Sequence, residues 1–182
     1  MSKKSKAKKK ELALKKKRRK AFGAFLICLL VLTFLAGLTR LVVFDTVKIT
    51  SSAMSPEYEK GDIVLVNKLT LWKSFDIKRG DTVYASMNGE TKLIRKVCGM
   101  PGDLIDVRQD GSFLVDADGN ETLLPGNIAL SGGTIPEGTY LLLNINLTDP
   151  SPDGRTLGLT RPAEISGIPE TVIWPLNRAF VK

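Results

Sequence analysis

The sequence predicts a mainly β domain, an antiparallel barrel or sandwich, behind one N-terminal transmembrane helix. Two observations carry this prediction. A 19-residue segment without charges, Ala21–Thr39, follows a lysine-rich N-terminus. Beyond residue 44, apolar residues alternate with polar ones, β-branched residues are frequent, and no long stretch has the 3.6-residue period of a helix.

The charge-free segment has the length of a membrane-spanning helix. At about 1.5 Å per residue, a helix over Ala21–Thr39 spans ~28 Å, close to the thickness of the hydrocarbon core. The alternatives are a buried core helix, which should carry a polar face, and a cleaved signal peptide, which should be shorter and end at a small-x-small site. The segment has no polar face and ends in AGLTRLVVF, which offers no good A-x-A site. We therefore expect an uncleaved anchor.

The positive charge of the chain is concentrated in its N-terminal tail. The 182 residues carry a net charge of +8, but residues 1–20 hold 12 of the 27 Lys and Arg residues and one of the 19 acidic residues. The remainder has 15 basic and 18 acidic residues, a net charge of −3. This distribution argues against nucleic-acid binding, which needs basic residues spread over a folded face.

The position of this charge also predicts the topology. Lys15–Lys20 abuts the anchor, whereas only Arg40 follows it closely. The positive-inside rule then predicts a cytoplasmic basic tail (1–20), an anchor (21–39) in the cell membrane and an extracellular β domain (45–182). The tail is expected to contact anionic membrane lipid.

Period-two patterning predicts seven strands in the outer domain. Three Gly-Asp turns, in KGDIVLV, RGDTVYA and PGDLIDV, each precede an apolar run, because Gly accepts a positive φ and Asp can cap the reversing backbone. Residues 108–136 are rich in Gly, Asp and Asn and predict a hairpin-rich excursion rather than a second domain. The predicted strands are Val43–Thr50, Asp62–Asn67, Thr82–Ala85, Lys92–Cys98, Leu104–Arg108, Thr139–Asn146 and Thr171–Trp174.

Three segments of the outer domain carry motifs: SSAMSPEYEKGDIVLVNK, IRKVCGMPGD and LLLNINLTDPSPDGR. They are similar, in this order, to S-x-S-M-x-P followed by G-D-x-V-x-V, to K-R-x-x-G-x-P-G-D, and to G-D-N-x(3)-S-x-D-S-R. Together with the single anchor, they resemble the Gram-positive form of the type I signal peptidases, membrane-anchored Ser/Lys endopeptidases that remove export signals. The resemblance covers nearly the whole chain and implies a signal-peptidase-like β fold. We expect no cofactor and no metal.

The catalytic pair of that family is absent from the matching positions. In the family a Ser attacks the scissile carbonyl, a Lys whose pKa is lowered by burial removes its proton, and N–H and hydroxyl donors stabilise the oxyanion. The nucleophile position, immediately before Met54, is Ala53, and the base position, four residues before Gly99, is Arg95. A methyl group cannot attack a carbonyl and a guanidinium stays protonated, so neither position supports this chemistry.

Other motif positions are retained. Ser51 matches a hydroxyl of the oxyanion hole, although Ser51 and Ser52 also suit a turn without any catalytic role. In the third motif the resemblance gives the first Ser a role in orienting the Lys, and it gives the Asp and Arg a structural role. Gly154 replaces a Ser of that motif, and Asn144–Asn146 departs from G-D-N. The retained groove and support residues are Ser51, Met54, Pro56, Ser151, Asp153 and Arg155.

Four interpretations remain open. The favoured one is an inactive signal-peptidase-like protein that binds exported proteins or assists their assembly. Family members without the dyad are associated with Gram-positive pilus assembly, so the resemblance implies an exported preprotein or a pilin-like partner. An active peptidase would instead use Ser52 or Ser55 with Lys96, although a one-residue step along a strand turns a side chain to the opposite face. The others are a Ser-to-Ala knockout, which leaves Arg95 unexplained, and a β domain that only mimics the motifs.

Overall fold

The N-terminal unit is a single helix, α1 (Lys3–Val42), in the computed structural model of the chain. It runs without a break through the predicted tail and the predicted anchor. Its segment Lys15–Leu38 has 24 residues, a mean hydropathy of 2.6 and no buried residue, so it is long and apolar enough to cross a membrane. The structure describes residues 3–69, 76–87 and 91–179. The predicted tail and β domain also include residues 1–2, 70–75, 88–90 and 180–182, which lie outside the described residues.

The second unit, residues 43–182, is built from antiparallel strands. Two short helical segments accompany them, α2 (Gly154–Leu157) and a 3-10 turn at Pro162–Glu164. The strands are β1 (Phe44–Lys48), β2 (Ile63–Asn67), β3 (Thr82–Met87), β4 (Thr91–Gly99), β5 (Leu104–Arg108), β6 (Gly111–Val115), β7 (Glu121–Leu124), β8 (Gly133–Thr134), β9 (Leu141–Leu143) and β10 (Ile165–Trp174).

Six strands form the main sheet, in the order β1-β2-β10-β3-β4-β9. Strand β2 shows how the sheet forms the core. Its side chains alternate, so that Val64 and Val66 are fully buried while their neighbours are partly exposed. These valines pack with Met54 of the turn after β1 and with Val172 of β10. The turn that carries the first motif is therefore held by the core of the main sheet.

The second sheet has the order β7-β6-β5-β8 and contains most of the predicted excursion. Its inner residues Ile105, Leu114 and Leu124 share one apolar cluster with Leu141 and Leu143 of β9. Because the two sheets share this cluster, the excursion belongs to the same core as the main sheet.

The prediction of a mainly antiparallel β fold is confirmed, and each predicted strand has a counterpart. The ends of the strands differ where the pairing is irregular. Strand β9 keeps only the middle of the predicted segment 139–146, because the Asn144 N–H donates to a carboxylate of Asp153, at 3.0 Å, instead of to a strand. Strand β10 begins before Thr171, as its pairing with β2 shifts register around Pro169. Strands β6, β7 and β8 were not predicted individually.

Candidate functional site

The predicted nucleophile position, Ala53, lies in the turn that leads from β1 to β2. The Ala53 side chain is completely buried. Its carbonyl accepts a hydrogen bond from the Asn146 N–H at 2.9 Å, and the Tyr58 N–H donates to the Met54 carbonyl at 2.9 Å. The turn and the loop after β9 thus hold this position in place, but it presents only a methyl group.

Arg95, at the predicted base position, is a buried cation on β4. Its side chain is 3% exposed, and its Nε and Nη2 donate to the Pro152 carbonyl at 3.2 and 2.7 Å, while Nη1 donates to the Ile94 carbonyl at 2.6 Å. Burial lowers the pKa of Arg95 to about 10, against the opposing effect of the Asp153 and Asp149 charges. The guanidinium is therefore still protonated at neutral pH and cannot accept a proton from a nucleophile.

Lys96, the alternative base, lies on the other side of β4, as strand alternation requires. Its Nζ is 3.3 Å from Glu57 Oε2, and the side chain is 35% exposed. It borders an open cavity of about 280 Å³ together with Arg79 and Cys98. Arg95 is therefore buried on one face of β4, whereas Lys96 is partly exposed on the other face.

Ser52, the alternative nucleophile, is exposed and contacts Asp149. The Asp149 carboxylate accepts hydrogen bonds from the hydroxyl and N–H groups of Ser151 and Ser52, and these bonds lower its pKa. The Ser151 N–H lies 2.9 Å from Asp149 Oδ1. In the described part of the chain no hydrogen bond joins Ser52 to Lys96.

A small cleft of about 50 Å³ lies between residues 47–51 and residues 92–95. The retained Ser51 and Met54 line it together with Arg95. Strand β1 is the last strand of the main sheet, and β9 pairs with β4 only over Lys96–Gly99. Both walls therefore include strand segments without a neighbour on one side among the described strands, an arrangement that suits an added extended peptide. Pro56 of the same turn is exposed.

Asp153 and Arg155 form a buried ion pair, with side chains 1% and 8% exposed and 3.0 Å between Arg155 Nη2 and Asp153 Oδ2. Arg155 Nη1 also donates to the Leu147 carbonyl, at 2.9 Å, and to the Pro125 carbonyl. Because Pro125 directly follows β7, the pair ties the loop after β9 to the second sheet.

The departures in the third motif have structural causes. A Cβ atom on Gly154 would lie 2.7 Å from the Leu142 carbonyl oxygen, so the Ser of the family pattern has no room here. Asn144 is 2% exposed, and its Nδ2 donates to the Ser151 carbonyl at 2.9 Å. This asparagine therefore braces the loop from inside.

Asp149, which contacts Ser151 and Ser52, was not predicted from the sequence. The available signal was local: an Asp two residues before Ser151 can accept that residue's N–H and form a turn. The contact with Ser52 had no local signal. Within the described ranges, no group of three or more Cys, Asp or Glu side chains has an arrangement that holds a metal ion.

Comparisons with known proteins give the family. A family model described as "Signal peptidase, peptidase S26" matches residues 21–174. Signal peptidase I P of Bacillus subtilis subsp. natto is 28% identical over 180 residues, 90% of this chain and 96% of that protein. Signal peptidase I of Streptococcus pneumoniae serotype 4 is 26% identical over 201 residues, 87% of this chain and 94% of that protein.

Among solved structures, a signal peptidase I from Enterococcus faecalis matches with a TM-score of 0.38 and 20% identity, over 51% of this chain and 96% of that chain. This similarity is too low to add to the family evidence. The match over residues 21–174 confirms the resemblance that the three motifs predicted. The chain belongs to the signal peptidase family, peptidase S26.

Proposed function

We propose that this chain is a membrane-anchored, catalytically inactive member of the signal peptidase family that binds exported proteins. The observation that carries the proposal is the pair Ala53 and Arg95. A buried methyl group and a protonated guanidinium occupy the positions of the nucleophile and the base. Without a hydroxyl to attack and a neutral amine to receive its proton, a Ser/Lys mechanism has no first step.

The cleft beside Arg95 supports the binding part of the proposal. Its two walls are strand segments, and its lining is mainly apolar, with Ile49, Met54 and Ile94 among the residues. An extended segment of an exported preprotein, or of a pilin-like subunit, can add to these edges through main-chain hydrogen bonds. Binding without cleavage would let the protein hold such a partner during assembly.

The membrane part of the proposal rests on α1 and on the charge next to it. The apolar segment Lys15–Leu38 would span the cell membrane, and the basic residues at its N-terminal end would keep the tail in the cytoplasm, near anionic lipid. The β domain would then meet its partners on the outer side of the membrane.

An active enzyme is the second candidate, and it requires Ser52 and Lys96 to act together. Each of these side chains already has another partner, Asp149 for Ser52 and Glu57 for Lys96. If Ala53 results from a Ser-to-Ala knockout, the single change Ala53→Ser should restore activity. Arg95 argues against this alternative, because its guanidinium is held by three hydrogen bonds to backbone carbonyls. The shifted pair and the knockout predict different cleavage results, so one cleavage assay can distinguish them.

The assay incubates the full chain in detergent micelles with a preprotein that carries an A-x-A cleavage site. The native chain, Ala53→Ser, Arg95→Lys and the double variant are compared, with the exposed Arg161→Lys as the matched control. We expect no cleavage by the native chain or by either single variant. Cleavage gained only by the double variant would identify an eroded dyad.

Two results would overturn the proposal. Cleavage by the native chain that is lost in Ser52→Ala or Lys96→Ala would establish the shifted dyad. Cleavage gained by Ala53→Ser alone would establish the knockout. Recovery of exported or pilin-like subunits with the tagged native chain tests the binding role, and failure to recover any would count against it.

A further inference from the structure

The Arg95 guanidinium is a buried charge without a counterion. No carboxylate of the described residues forms an ion pair with it within 4.0 Å; Asp153 and Asp149 act on it only from a greater distance. A guanidinium has five N–H groups. Three of them donate to the Pro152 and Ile94 carbonyls, which leaves two without a partner in the described part of the chain. Buried charges are usually paired, so this arrangement points to a missing anionic partner.

The charged side chains that line the cleft beside Arg95 are all positive. Lys48 and Lys92 line it as well, and no acidic residue does. Ser51 adds a hydroxyl donor that has no hydrogen-bond partner among the described residues. Three cations and a free hydroxyl around one small space favour a ligand with a negative charge at its end.

The shape of the cleft restricts that ligand. A volume of about 50 Å³ between two strand segments leaves room for a small side chain and a charged group, not for a bulky headgroup. The apolar lining, which includes Val47, Ile49 and Leu93, suits a small apolar side chain on an extended backbone. A terminal carboxylate next to Ala or Gly meets both requirements.

We propose that the cleft recognises the free C-terminal carboxylate of an extended peptide that ends in a small apolar residue. Arg95 would receive the carboxylate through its two unused N–H groups, with Ser51 as a further donor. Charge-assisted bonds of this kind are short and strong in a desolvated site. The inference rests on the proposed function, because it requires that a peptide enters the cleft. No bond is made or broken; the ligand resembles the product of a signal peptidase rather than its substrate.

The test measures peptide binding to the full chain in detergent micelles by fluorescence anisotropy. One labelled peptide ends in Ala-x-Ala with a free carboxylate, a second is its C-terminal amide, and a third continues for several residues beyond the same sequence. We expect the free acid to bind on the order of 10- to 100-fold more tightly than the amide, which is the range for hydrogen bonds to a charged group. Arg95→Met should remove this preference, Arg95→Lys should keep part of it, and Arg161→Met, an exposed control, should leave it unchanged.

The outcomes separate this inference from the proposed function. Equal binding of the acid, the amide and the extended peptide would overturn the carboxylate site and leave the peptide groove standing. No binding of any peptide would overturn both. The comparison of acid and amide on the native chain needs no variant, so it decides the matter even where Arg95→Met fails to fold. A preference that survives in a folded Arg95→Met chain would also overturn the inference.

Discussion

At the scale of single residues, the altered positions fit their surroundings closely. Ala53 is fully buried, and the Arg95 guanidinium donates its hydrogen bonds to backbone carbonyls rather than to a catalytic side chain. Taking a cation out of water costs several kcal/mol, in order-of-magnitude terms, and carbonyl acceptors offset part of this cost. Arg95 is therefore integrated into the site as a permanent charge, a role that a neutral catalytic Lys does not have.

Gly154 allows a direct test of how far the third motif has changed. Restoring the family residue with Gly154→Ser places a Cβ atom 2.7 Å from both the Leu142 carbonyl oxygen and Leu141 Cδ1. We expect the substitution to lower the free energy of unfolding by about 1–3 kcal/mol, the usual cost of overpacking. Thermal and urea unfolding of the full chain in detergent, followed by circular dichroism, measure this change.

The control for this substitution adds the same hydroxyl at an exposed position. Ala163→Ser, in the 3-10 turn, should change the free energy of unfolding by less than about 0.5 kcal/mol. Equal stabilities of Gly154→Ser and the native chain would show that the loop relaxes freely away from β9, contrary to the packing described above.

At the scale of elements, the loop between β9 and α2 organises the altered site. Through Asn146 it binds the turn at Ala53, and through Pro152 it binds the buried guanidinium on β4. Asp149 connects the same loop to Ser52. One loop thus holds the turn, the strand and the cleft wall together, and its conformation should control the shape of the cleft.

The Asp149 contacts predict a pH dependence of this loop. Hydrogen bonds from Ser151 and Ser52 lower the pKa of Asp149 in the folded protein. They therefore stabilise the folded state at pH values above the ordinary carboxyl pKa of about 4. This stabilisation is lost as the pH falls below that value through the folded pKa. Asp149→Asn should therefore be less stable than the native chain at pH 6, and the difference should shrink towards pH 3.

Urea unfolding at both pH values measures this difference. The control is Asp110→Asn, which changes an exposed Asp in the β5–β6 turn whose side chain makes no hydrogen bond among the described residues. A difference between Asp149→Asn and the native chain that is the same at pH 6 and pH 3 would contradict the role assigned to the carboxylate.

At the scale of the whole molecule, the chain combines an apolar helix with a β domain that has its own core. The predicted topology is testable with a reporter enzyme that is active only after export, fused to the C-terminus. We expect high reporter activity from the native sequence, and lower activity when Lys15–Lys20 are all changed to Gln, because the positive-inside bias is then reduced. Arg40→Gln is the control and should not lower the activity. An inactive reporter at the C-terminus, together with an active reporter fused to the N-terminus of the full chain, would reverse the proposed orientation.

Much of the fold followed from local patterns. The anchor segment is visible because its apolar residues are contiguous, and β2 and β5 are visible because their side chains alternate. The short strands β6, β7 and β8 were less visible, because Gly, Asp and Asn dilute the alternation there. Strand β9 ended early for another reason: the Asn144 N–H donates a hydrogen bond to the carboxylate of Asp153, which lies nine residues further along the chain.

The motifs alone were enough to predict the family, which the comparisons confirm, and their spacing predicts that Ala53 and Arg95 occupy the positions of the nucleophile and the base. The surroundings of these positions became visible only in the folded chain. The acceptor of Arg95 is a carbonyl 57 residues away along the chain, and the partner of Ser52 lies in the same distant loop. Contacts of this kind depend on how strands and loops pack in space, and no local period or spacing in a sequence records them.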